Sequence, residues 1–129
     1  MNTTQQVKPE FKQILDYAAV AAVIARRERV ERTQISKLLE MFESNATREG
    51  IEILKMFILR QTQRREIGLH TAKVLLEALS KINDPEKVRN FLTYFKWLYE
   101  ALEICYGRLP PGRNYEEVIN HIMFNCLTK

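Results

Sequence analysis

A chain of 129 residues has the length of one domain and is long enough to bury a core unaided. Its 46% apolar and 28% charged residues are ordinary globular proportions, which excludes a low-complexity chain. A net charge of +4 is compatible with nucleic acid without pointing to it, and the apolar run 18–25 is far shorter than the ~20 residues a bilayer crossing needs.

Residues 1–9 are polar, carry a proline and lack periodicity, so they read as a flexible terminus. From Glu10 the pattern is helical: Phe11, Ile14, Leu15, Ala18, Ala22 and Ala25 recur at steps of three and four. Small apolar residues on every side of its second half permit close helix–helix approach. The helix runs into the charged stretch 26–32, read as a water-facing end with i,i+4 pairs such as Glu28–Arg32.

Thr33 offers an N-cap for a second helix with Ile35, Leu38, Leu39 and Phe42 inward. Residues 44–47 read as a break. A third helix follows from Thr47 or Arg48 to about Ile67, apolar at Ile51, Leu54 and Ile58 and also at Ile53 and Phe57. Its second half is the most one-sided charge in the chain. Lys55, Arg60, Arg64 and Arg65 fall within eleven residues that contain no acid. Arg60 and Arg64, four apart, share a face. Gly68 reads as a joint before a shorter helix at 69–82.

The stretch 84–107 predicts the best-signalled helix. Asp84 is its N-cap, Pro85 its first residue, and Gly107 followed by Pro110-Pro111-Gly112 its stop. Val88, Phe91, Leu92, Phe95, Leu98, Tyr99, Leu102, Cys105 and Tyr106 make one broad apolar face. Tyr94, Trp97, Ala101 and Ile104 make a second stripe roughly opposite. A helix apolar on two sides is either enclosed by its own chain or covered by another copy. Those four residues are therefore the expected subunit interface. After the Pro-Pro-Gly loop, Asn114 and Glu117 form the outline of a capping box for a last helix. No alternating strand pattern occurs. The expected fold is all-α, a compact bundle of about five to six helices in a single domain over residues 1–129.

The residues announce no catalytic set. No Gly-rich phosphate loop, GxSxG, CxxC, HExxH or EF-hand pattern is present. Glu100 and Glu103, one turn apart, read as a solvated strip beside Lys96 and not as an acid–base pair. His121 and Cys126 are a poor ligand pair at their spacing. Cys105 and Cys126 read as two reduced, buried thiols of a cytosolic protein, with a disulfide between them as the alternative. The expectation is a cytoplasmic non-enzyme without cofactor, metal, membrane contact or small-molecule substrate. Arginines along one helix face meet successive phosphates, and guanidinium forks grip phosphate oxygens bidentately. Such contacts position a protein on a backbone without reading sequence. A helical interaction or dimerisation module with no nucleic-acid role stays open as the alternative.

Three segments resemble a known family. Thr33-Gln34-Ile35-Ser36-Lys37-Leu38-Leu39 is similar to a T-x-Q-[IL]-R-K-[FL] segment of the small subunit of type III-A (Csm) CRISPR effector complexes. Residues 53–66 stand where that family carries a helix of the form L-K-x-x-L-x-Y-x-x-G-R. Residues 91–106 resemble its F-x-x-[FY]-x-E-A-x-x-A-Y-[HF] helix, most closely at Glu100-Ala101 and Tyr106. Order and spacing agree over about residues 30–106. Ser36 stands where arginine is common, the Tyr and Gly before the arginine are missing, and the helix after residue 113 has no counterpart.

The resemblance implies a helical bundle without catalytic residues, stacking with copies of itself and with other subunits of the complex. Its basic surfaces would follow guide and target RNA. By position, Lys37, Lys55 and Arg64 or Arg65 would face RNA, and the helix-face argument adds Arg60.

Overall fold

The computed structural model describes residues 8–127. Six α-helices follow one another: α1 (Pro9–Arg27), α2 (Arg32–Glu43), α3 (Arg48–Gln63), α4 (Leu69–Lys81), α5 (Pro85–Ala101) and α6 (Tyr115–His121). A 3-10 turn, Leu102–Cys105, continues α5, and a π turn, Ile122–Cys126, continues α6. No strand occurs among the described residues, so the expected all-α bundle is what the chain forms. No described helix is long and apolar enough to cross a membrane. Of the expected flexible terminus, residues 1–7 lie outside the described residues. Lys8 is the N-cap of α1 and Pro9 its first residue, where a missing N–H costs nothing.

Three of the helix starts rest on local caps. The side chain of Thr47 accepts from Gly50 N–H, that of Asp84 from Lys87 N–H and that of Asn114 from Glu117 N–H. Each leaves one fewer unpaired amide in a first turn, a gain of about 1 kcal/mol. Glu117 does not complete a capping box on Asn114. Its carboxylate takes the Arg113 backbone N–H (2.9 Å) and pairs with the Arg113 guanidinium (2.7 Å).

The helix most enclosed is α1. Ala18, Ala19, Ala21, Ala22, Val23 and Ala25 are all fully buried, because small side chains let α4, α5 and α6 approach on different sides. Its main partner is α5, which buries Val88, Phe91, Leu92, Phe95, Leu98 and Tyr99. Phe91 and Phe95 lie parallel, 6.3 Å apart. With Phe42 of α2 they are the largest fully buried side chains, and burying each supplies about 2–3 kcal/mol. Tyr106, expected on the same apolar face, is instead exposed. The α-helix ends at Ala101, the backbone tightens into the 3-10 turn, and Tyr106 takes a left-handed φ of 53°, which turns it off the face before Gly107.

The stretch 26–32 is only in part a solvated end: Arg27, Arg29, Glu31 and Arg32 are exposed, but several of its side chains are tied to other elements. Arg26 lies over the Tyr99 ring, 4.1 Å from its centroid, and donates to the Tyr99 carbonyl at 2.9 Å. Arg27 donates to the carbonyls of Pro110 and Pro111, which docks the Pro-Pro-Gly loop on α1. Gly112 there has a φ of +75°, and any Cβ on it would run into Val23. Glu28 does not pair with Arg32. Its carboxylate accepts from the backbone N–H groups of His70 and Thr71 and from the Thr71 hydroxyl, capping α4 from 42 residues away. Arg32 pairs with Glu100 at 3.1 Å and is the first residue of α2, with Glu31 at the N-cap where Thr33 was expected.

Candidate nucleic-acid interface

Ile35, Leu38 and Phe42 of α2 and Ile51, Leu54 and Ile58 of α3 are buried, so both helices turn their remaining faces outward beside one another. Between them opens a cleft of about 420 Å³. Lys37 of α2, Arg60 of α3 and Arg64 at the α3 C-cap line it, with Met41 and Phe57 as apolar wall. Among the described residues, none of these three cations has a carboxylate within 4.0 Å. Arginines 26, 32 and 113, by contrast, are all engaged in ion pairs. Two acids, Glu40 and Glu66, also line the cleft.

The floor is polar and closed. Gln34 and Gln61 are buried, and Gln61 Nε2 donates to Gln34 Oε1 at 2.8 Å. Gln34 Nε2 donates onward to Glu66 Oε1 at 3.3 Å, and Arg60 Nη1 leans on Gln61 Oε1 at 3.4 Å. Glu66 is therefore partly committed to the floor, while Glu40 stays exposed beside the cations. A satisfied buried pair of amides fixes the relative register of two helices, since breaking it strands both groups. The two glutamines escaped the sequence reading, although the signal is there. Gln34 stands four before Leu38, and Gln61 three after Ile58, each on the apolar side of its helix.

The five expected RNA-facing residues divide. Lys37, Arg60 and Arg64 converge on the cleft. Lys55 lies outside it, three-tenths exposed and paired with Glu52 at 3.0 Å. Arg65 turns away because its φ is +65°, and it borders a different groove with Glu28, Arg29 and Gly68. The third helix ends at Gln63, short of the expected Ile67: Arg65 N–H and Glu66 N–H return to Thr62 and Gln61 carbonyls and wind the chain off the axis. Because the C-terminal end of α3 faces this region, it offers carbonyls and not N–H groups.

The expected subunit stripe is neither enclosed nor bare. Tyr94 is half-buried between Phe11 of α1, edge-on at 5.9 Å, and Trp97, tilted at 6.1 Å. Trp97 is 61% exposed, Ala101 half-buried and Ile104 exposed. Glu100 and Glu103 do not face one another as a pair. Glu100 takes Arg32, and Glu103 approaches Arg26 at 3.9 Å.

The cysteine expectation is overturned. Cys105 and Cys126 form a disulfide, with their Cα atoms 4.9 Å apart. The 3-10 turn and the π turn deliver the two side chains to one buried spot, a long-range placement that helix periodicity does not show. His121 joins them there, which the sequence spacing had argued against.

Comparison of the chain with family models, with curated proteins and with solved structures finds no significant match.

Proposed function

We propose that the α2–α3 cleft binds an RNA backbone, and that the protein acts without catalysis as the RNA-binding small subunit of a type III CRISPR interference complex. Its partners would be guide and target RNA and the other subunits of that complex. The observation that carries the RNA-binding reading is the convergence of Lys37, Arg60 and Arg64, none with a carboxylate partner, on one cleft with a fixed floor. Lys37 and Arg64 come from the two separate segments that resemble the small-subunit motifs. Guanidinium forks at 60 and 64 suit phosphate oxygens, and Met41 and Phe57 offer an apolar wall beside them. Contacts confined to backbone phosphates make such binding indifferent to sequence and strongly dependent on salt.

Fluorescence anisotropy with a labelled single-stranded RNA, titrated over a range of salt concentrations, tests this. Lys37→Ala, Arg60→Ala and Arg64→Ala should each flatten the log–log salt dependence by about 0.7 per phosphate contact removed. Lys55→Ala and Arg65→Ala should leave it as in the wild type. Equal effects from all five, or none from the first three, would reject the cleft as the site.

A second reading, a helical protein-interaction module without RNA, is favoured by Trp97, exposed beside Tyr94 and Phe11. Light scattering on Trp97→Ala separates the two. Loss of self-association together with absent RNA binding supports the module.

A further inference from the structure

Cys105, His121 and Cys126 are brought together by three chain endings. Cys105 closes the 3-10 turn after α5, His121 closes α6, and Cys126 closes the π turn. On a continued α-helix, residues five apart would stand about 140° apart. The π turn, sealed by Leu127 N–H to the Ile122 carbonyl at 3.1 Å, is wider and brings residue 126 back toward the side of residue 121. The ligating atoms of all three lie within 4.8 Å of one another, the cysteines buried and the imidazole half-buried.

The imidazole is also held in one tautomer. The Arg108 carbonyl accepts only, so His121 Nε2, 2.8 Å from it, carries the proton. Nδ1 keeps its lone pair and faces the Asn125 side-chain N–H at 3.1 Å. Metal-binding histidines share this arrangement, with one N–H anchored on a carbonyl and the other nitrogen free to ligate.

We propose that this cluster is a redox-gated Zn²⁺ site. A dithiol reductant supplies two electrons and two protons to the Cys105–Cys126 bond and leaves as its own disulfide, so the protein holds two thiols. Zn²⁺ then displaces both thiol protons to solvent. It binds two thiolates at about 2.3 Å and His121 Nδ1 at about 2.0 Å, with Asn125 released and water in the fourth position. Tetrahedral bonds of that length put the two sulfurs about 3.8 Å apart, which rotation of the two side chains supplies from a Cα separation of 4.9 Å. Two soft thiolates and an imidazole select zinc over calcium or magnesium. A disulfide oxidant takes the two electrons from the thiolates, gains two protons from solvent and leaves as a dithiol, which re-forms the Cys105–Cys126 bond and expels the ion.

The test uses the full chain, oxidised or reduced with a phosphine, dialysed against Zn²⁺ and counted by elemental analysis. The reduced protein should retain one Zn²⁺ per chain and the oxidised protein none. Co²⁺ in place of zinc should give thiolate charge-transfer absorption and intense tetrahedral bands. His121→Ala, at a half-exposed position, should weaken Zn²⁺ at least tenfold. Alkylation of the reduced wild type reads the two thiols without altering a buried residue, and Zn²⁺ should protect both. Reduced protein without stoichiometric Zn²⁺, thiols alkylated equally with and without it, or unchanged affinity in His121→Ala would overturn the proposal.

Discussion

Glu28 is the most informative single residue for stability. Its side chain is 21% exposed and accepts four hydrogen bonds: His70 N–H at 3.1 Å, Thr71 N–H at 2.8 Å, Thr71 Oγ1 at 2.7 Å and the His70 ring at 2.9 Å. Burial pushes the carboxyl pKa up. The bonds from Thr71 and then His70 outweigh it and bring the carboxyl from 4.5 to about 2. Linkage converts that difference into at most about 3 kcal/mol, and solvent screening reduces it to about 2. The folded value is the depressed one, so the stabilisation is complete above pH 4.5, where both states are ionised. It is lost as pH falls from 4.5 to about 2. Glu28→Gln keeps the shape and an acceptor but removes the charge. Urea unfolding followed by circular dichroism should place the variant about 2 kcal/mol below the wild type at pH 7, with the gap closing toward pH 2. A gap that stays constant with pH would refute the charge argument and leave only a packing defect. Gly68 belongs to the same device, because a Cβ there would strike the Glu28 side chain.

Tyr99→Phe keeps the ring under Arg26 but removes the hydroxyl that donates to the Val30 carbonyl. The stranded acceptor should cost about 1–2 kcal/mol in thermal or urea unfolding. Gly112→Ala should destabilise more than Gly107→Ala, although both have positive φ. A Cβ at 107 meets open space and costs about 1 kcal/mol of backbone preference, whereas at 112 it adds a collision with Val23. Comparing melting temperatures of the two variants checks this, and equal losses would argue that the loop shifts freely.

Much of the fold was legible in sequence because its signals are local. The caps at Thr47, Asp84 and Asn114 act over three residues, and Pro85 acts on its own φ. The apolar face of the helix after Pro85 follows from a 3.6-residue period and is buried as expected from Val88 to Tyr99. Where the period itself changes, the reading failed. Tyr106 left the core because a 3-10 turn replaced the last α turn, and Cys126 swung beside His121 because a π turn followed α6. The cleft was half legible. The run of cations marked the right helix, but only the backbone turn at Arg65 separated it from Arg64.

What the sequence determined by itself was the helix inventory, the Ala-rich stretch that admits close packing, and the basic half of α3. Each depends on residues no more than a turn or two apart. Only the tertiary structure decided that Lys37 meets Arg60 and Arg64, that Glu28 caps α4, that Arg26 lies on Tyr99, and that two cysteines 21 residues apart join beside His121. Those pairings join side chains from different helices. Their partners are chosen by how helices stack, and no spacing along one helix encodes that choice.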